Sequence, residues 1–169
     1  MNRLIIEFSK TKYIGSEIIS YFTRGEYSHV SIVLDSNTLL SPKMGKGVHV
    51  HDLDTSIYVK QEYWAIEGNP KQAIKWAREQ IGSGYDYSGA AGFLSLFSFL
   101  DHRESKYHCS EFASQAIRRS KMFSQNNIDK YETWKIDPAE LWRYFKLLSY
   151  LHNSPVMFLG SKLEQKHCL

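Results

Sequence analysis

Between Ser28 and Leu53 the chain alternates apolar and polar residues in three short runs, each closed by turn-forming letters. That pattern leaves little but antiparallel sheet open to it. "SHVSIVL" puts Val30, Ile32 and Leu34 on one face and His29, Ser31 and Val33 on the other. The letters "DSN" turn the chain into the short strand "TLLS", and Pro42 with two glycines leads to a third alternating run, "GVHVHDL". Together these read as a meander of antiparallel strands. Leu4 to Phe8 is expected as an opening strand and "YVKQEYWAIEG" as a further one.

Helices are expected to flank this sheet. Tyr13 to Arg24 places Ile14, Ile18, Ile19 and Phe22 on one face and stops at Gly25. Asn69 and Pro70 make a good start for a helix over Pro70 to Ile81. Tyr87 to Phe99 is expected to be helical, with "AAGFLSLFSFL" (Ala90 to Leu100) apolar nearly all round, as a buried core helix would be. From Cys109 to Arg119 the set Phe112, Ala113, Ala116 and Ile117 has helical spacing and shares a face with Cys109. "DPAELWRYFKLL" is a helix with Asp137 as N-cap and Pro138 in the first turn. The outline is α+β, a small antiparallel sheet or half-barrel flanked by helices. One domain covers residues 1–169, with the residues from about 155 peripheral.

At 169 residues, 43% hydrophobic and 14% aromatic, such a domain can bury a proper core. The net charge of +3 comes from scattered residues, and the densest basic cluster, Arg118, Arg119 and Lys121, is a solvated helix end rather than a nucleic-acid footprint. Only two cysteines occur, Cys109 and the next-to-last Cys168, too few for a stapled secreted scaffold. "MNRLIIEFSKTK" offers too short an apolar run for a signal segment, and no run approaches the roughly 18 apolar residues that span a bilayer. A cytoplasmic protein without a transmembrane segment is expected.

Chemistry concentrates in "KYHCSEFASQAI". A cysteine in the first turn of a helix feels unpaired backbone N–H groups and the positive end of the helix dipole, which favour thiolate. Taken by itself, Cys109 also suits a small buried hydrophobe completing the helix face. A nucleophilic thiol needs an imidazole to take its proton. Of seven histidines, His29 is the best placed, at the start of a strand and on the face opposite Val30, Ile32 and Leu34. His49 and His51 share a face of a later strand and could form half a metal site, but no third ligand stands out, so no metal is expected. His108 adjoins the cysteine but points about 100° away around the helix, as a cap or wall residue would. If the "DSN" loop is odd in length, Ser41 pairs opposite Ser31 and lies diagonal to His29, within about 7 to 8 Å. A two-residue loop would send Ser41 to the other face.

"YSHVSIVL", "LLSPKMGKGVHVHDL", "GYDYSG", "YHCSEFASQAI" and "IDPAELW" occur in the order and approximate spacing of the circularly permuted NlpC-type cysteine hydrolases. The chain resembles their YiiX-like branch from about Ile5 to Leu148. Ser28-His29-Val30 and Cys109-Ser110-Glu111, about 80 residues apart, carry the resemblance most sharply. It implies a papain-like fold with the histidine ahead of the cysteine, distantly related to lecithin:retinol acyltransferase. It implies Cys109 as nucleophile, His29 as general base and then acid, and Ser41 as the third polar residue. Ser41 departs from the pattern, since relatives often carry glutamate or histidine there. A hydroxyl stabilises imidazolium less than a carboxylate does, and His49 is a second candidate for the orienting role.

The backbone N–H of Cys109 would meet the oxyanion, with Tyr27 as a further contributor, while Tyr85 and Tyr87 are expected as cleft walls. The function implied is hydrolysis or transfer of an amide or ester acyl group from a small-molecule, peptide or lipid substrate, with no cofactor. The alternatives are a binding module that holds a lipid or peptide without turnover, and a partner-binding protein in which the cleft is incidental.

Overall fold

The computed structural model describes residues 3–87, 106–120 and 136–162. Of the helix expected over Tyr87 to Phe99 all but Tyr87 lies outside these residues, as do its apolar stretch and Cys168. The first strand, β1 (Arg3–Thr11), runs at the centre of a sheet. Leu4, Ile6 and Phe8 leave one side of it, Ile5, Glu7 and Ser9 the other. β2 (His29–Val33), β3 (Thr38–Lys43) and β4 (Gly47–Asp52) follow outward on one flank. β5 (Tyr58–Glu67) does not extend that meander; it crosses back to pair with β1 on the other flank. The segment expected to be peripheral supplies a further strand at the edge beside β5, labelled β8 (Val156–Gly160). The sheet order is β4-β3-β2-β1-β5-β8, antiparallel throughout. Two short segments, β6 (Gly84–Tyr85) and β7 (Lys106–Tyr107), form a small parallel pair of their own.

Three helices bury one face of the sheet. These are α2 (Pro70–Glu79), α3 (Cys109–Arg119) and α4 (Pro138–Ser149). Their apolar positions, among them Ala73, Ala77, Phe112, Ala113, Ala116, Ile117, Leu141 and Phe145, pack with Leu4, Ile6, Phe8, Val30, Ile32, Leu40, Trp64 and Ile66 into one core. N-caps start two of these helices where the letters indicate: Asn69 accepts from Gln72 N at 3.2 Å, and Asp137 accepts from Glu140 N at 2.7 Å. A smaller cluster of Ile5, Val33, Leu39 and Tyr63 occupies the second face. Polar side chains are buried on that face too, with Glu7, Ser9, Ser31 and Ser41 all at 1% exposure or less.

The helix α1 (Ile14–Phe22) differs from expectation in what it buries. Ile14 and Ile18 are exposed, with Tyr13 and Tyr21, while Ser16, Ser20 and Thr23 are buried. Small polar side chains let the helix lie close to β1: Ser16 Oγ accepts from Thr11 N at 2.9 Å and shares a hydrogen bond with the Ser28 hydroxyl. Spacing identifies the apolar stripe but cannot tell that hydroxyls will satisfy the opposite side.

The turn after α1 fixes the approach to β2. Arg24 takes a positive φ of 49°, and Arg143 of α4 donates to the carbonyls of Thr23 and Arg24 at 3.3 and 2.6 Å. A Cβ on Gly25 would sit 1.9 Å from that of Ala139. Gly25→Ala is therefore expected to lower stability by about 1–3 kcal/mol through overpacking. A denaturant midpoint that does not fall, or that Ala139→Gly does not partly restore in the double variant, would contradict this contact.

Candidate functional site

Residues of β1, β2, β3, β5 and β6 and of α1, α3 and α4 converge on one cavity of about 270 Å³, whose lining includes His29, Lys43, Tyr85, His108 and Cys109. Cys109 is the first residue of α3, and the helix start is held on several sides. His108, fully buried, is the N-cap, its Nδ1 accepting from Glu111 N at 3.3 Å. Ser110 Oγ donates to the carbonyl of Ile136 at 2.6 Å, which ties α3 to the approach to α4. The thiol itself faces the backbone N–H groups of Val30, Ser110 and Cys109. Burial pushes the thiol up to about 11, and those amides offset only part of the rise.

His29 enters from β2. Its Nε2 lies 3.0 Å from Ser41 Oγ. The loop Asp35 to Asn37 has three residues, with Leu34 N donating to Thr38 O at 3.0 Å, so Ile32 pairs with Leu40 and Val33 with Leu39. Continuing that register puts Ser41 opposite Ser31, diagonal to His29 and on its face. Asp35 fastens the loop, accepting from Asn37 N and Thr38 N at 2.8 and 2.9 Å. With Nε2 engaged by Ser41, Nδ1 is the ring nitrogen left over.

Ser41 has a second imidazole partner, and it is His51 rather than His49. Ser41 Oγ lies 3.0 Å from His51 Nε2, and His51 Nδ1 lies 3.1 Å from Lys43 Nζ. His49, directly opposite Ser41 in the β3–β4 register, turns its Nδ1 to the Gly47 carbonyl at 2.9 Å and packs against the His51 ring. Among the described residues no group of three His, Cys, Asp or Glu side chains could hold a metal ion. Burial, with Lys43 and the neighbouring imidazoles adding to it, lowers His29 from 6.5 to about 3. Burial, then Lys43, lowers His51 to about 4. At neutral pH the site therefore holds a neutral thiol and neutral imidazoles rather than a thiolate–imidazolium pair. That arrangement suits proton transfer concerted with attack.

The tyrosines divide. Tyr85 is buried on the cavity wall near Cys109, and burial raises its hydroxyl above its ordinary value. Tyr87 stands edge-on to it at 5.0 Å, half exposed, its hydroxyl accepting from Gly45 N at 2.8 Å. Tyr27 is not brought to the cavity. Its ring is fully buried against Phe8 and Trp142, and burial beside the Glu62 carboxylate raises its hydroxyl. The aromatic body outweighed the strand-end position that suggested an oxyanion role. The Val30 N–H, which sequence reasoning passed over, lies at the sulfur instead. Lys43 and His51 were also missed as site residues, although both share the parity of Ser41 and Leu39 along their strands.

No protein-family model matches the chain, and no curated protein matches it. Among the described residues no helix is long and apolar enough to cross a membrane.

The depressed imidazoles make stability depend on pH. Between 6.5 and about 3 the unfolded chain binds protons that native His29 and His51 refuse, so their contribution is complete above about 6.5 and is lost as pH falls. Glu7, raised by burial, acts in the opposite sense above 4.5. The denaturation midpoint should fall from pH 7 to pH 4, and fall less steeply in His29→Gln. Equal slopes for the two proteins would refute the assignment.

Proposed function

We propose that the protein is a cysteine hydrolase or acyltransferase on a permuted papain-like fold, with Cys109 as nucleophile, His29 as base and then acid, and Ser41 orienting the ring. The observation that carries this reading is one cavity lined by a helix-start cysteine and a strand histidine whose far nitrogen is held by a buried hydroxyl. The thiol sulfur attacks an amide or ester carbonyl while His29 Nδ1 takes its proton. Negative charge gathers on the carbonyl oxygen, for which the N–H groups of Cys109 and Val30 are the available donors. Collapse of the intermediate breaks the bond to the leaving amine or alcohol, which receives the proton from His29. The thioester left on Cys109 is then attacked by water or an acceptor alcohol or amine, again with His29 as base.

One observation favours a second reading, a module that holds a lipid or peptide without turnover: Cys109 is 5% exposed and its thiol is raised. A burst with mono-p-nitrophenyl adipate, an ester that also carries a free carboxylate, separates the two. The hydrolase reading expects one equivalent of nitrophenolate per chain and an adipoyl mass on the Cys109 peptide. The burst should vanish in Cys109→Ala and slow by roughly 10²–10⁴-fold in His29→Gln. An identical burst in Cys109→Ala ends the reading, and ligand retention with no burst in either protein favours the binding module.

A further inference from the structure

Lys43 is the one Lys or Arg on the cavity wall among the described residues, and no carboxylate side chain lines that wall. Its ammonium lies 3.1 Å from Nδ1 of His51. The rings of His29 and His51 are neutral at pH 7, so each has one N–H and one lone pair. An ammonium has only protons to give. Facing it, Nδ1 of His51 is the lone-pair nitrogen, and its Nε2–H donates to Ser41 Oγ, 3.0 Å away. The single Ser41 proton then goes to its other partner, Nε2 of His29, also at 3.0 Å. Pointing it elsewhere would strand a buried hydroxyl proton, because those two nitrogens are the hydroxyl's partners among the described residues. His29 is left as the Nδ1–H tautomer, with no lone pair there to receive a thiol proton.

Removing the ammonium reverses every link. Nδ1–H of His51 can donate to the Asp52 carbonyl at 3.4 Å. Ser41 donates to Nε2 of His51, His29 donates through Nε2 to Ser41, and Nδ1 of His29 becomes a base. Three protons occupy the chain in both states: Nδ1 of His29 loses one to water and Nδ1 of His51 takes one up.

We propose that Lys43 is a positioning residue that keeps His29 in the tautomer unable to accept the Cys109 proton until an anionic group of the substrate draws the ammonium away. The inference rests on the Cys109–His29 reading and narrows its substrate class. The substrate is an acyl amide or ester with an apolar body, which Ile19, Met44, Ile57 and Tyr58 can meet, and a carboxylate or phosphate group within reach of Lys43. Burial, the largest influence, lowers Lys43 from its ordinary value; Glu7 of β1 opposes that shift by favouring the ammonium, and Lys46 beyond β3 adds to it. His29 and His51 are the imidazoles that feel its charge.

The test reads the tautomer directly, from long-range ¹H–¹⁵N correlations of the His29 ring at pH 7 in Cys109→Ala protein. The parent should be Nδ1–H, Lys43→Met should be Nε2–H, and Lys43→Arg, still a cationic donor, should stay Nδ1–H. Hexanoate or hexyl phosphate should convert the parent to Nε2–H, the more effective of the two identifying carboxylate or phosphate as the recognised anion, and neutral hexanamide should not. One tautomer in both the parent and Lys43→Met, or hexanamide acting like the anions, overturns the proposal. If Lys43→Met does not fold, the ligand titration on the parent decides alone. Because no turnover is needed, failure here leaves the nucleophile assignment standing, and failure of the ester burst leaves the tautomer result standing.

Discussion

The three-residue loop inside the Leu34–Thr38 pair, where β2 turns into β3, decides what the site is made of. Asp35, Ser36 and Asn37 close a loop of odd length, with the Asp35 carboxylate gathering the amides of Asn37 and Thr38. Since side chains alternate across a strand, one residue more or fewer would turn Ser41 and Lys43 to the helix-covered face and bring Leu40 and Pro42 to His29. The imidazole would then lose its hydroxyl partner, and the apolar core would receive a serine and a lysine. The same loop therefore protects the core and assembles the polar chain. Register is specified doubly, because neither face tolerates the other's residues.

Burial sets the chemistry of that chain more strongly than any single charge. Cys109 sits where a helix start favours thiolate, with three amides turned to its sulfur, and yet its thiol is raised. His29 is lowered in the same cavity. Desolvation opposes charge on both partners, so neither can be ionised cheaply at rest, whatever the helix dipole contributes. A ligand that fills the cavity and brings its own polar atoms changes those terms. On the proposed hydrolase reading, activation of the thiol would belong to the occupied cavity.

Much of the fold was legible because it depends on local signals. Asn69-Pro70 and Asp137-Pro138 combine a side-chain cap with a fixed φ, and α2 and α4 start there. The bounds of α3 follow from helical spacing and from His108 just before it. What was not legible depends on partners distant in sequence. "VMFLG" has no alternation that announces a strand, and it becomes β8 because β5 offers it an edge. The choice of β5 to pair with β1 is likewise a matter of topology and not of its own letters. The stripe on α1 misled because apolar spacing does not say which side of a helix is covered. In the site, parity narrows the partners of Ser41 to His49 and His51, but only side-chain direction chooses between them. Pairing favoured His49, which turns to its own strand's Gly47 carbonyl.

The serine at position 41 is more than a weaker substitute for a carboxylate. A carboxylate only accepts, so it would fix Nε2–H on His29 and leave Nδ1 permanently available as a base. A hydroxyl accepts and donates, and with one proton between two imidazoles it passes on whichever polarity it receives. The orientation of His29 is thus not determined at Ser41. It is determined at the far end of the chain, where His51 meets Lys43, and Lys43 reaches the cavity in which His29 would work. A site built this way couples the polarity of its base to the charge of what occupies it, which a carboxylate in the same place could not do.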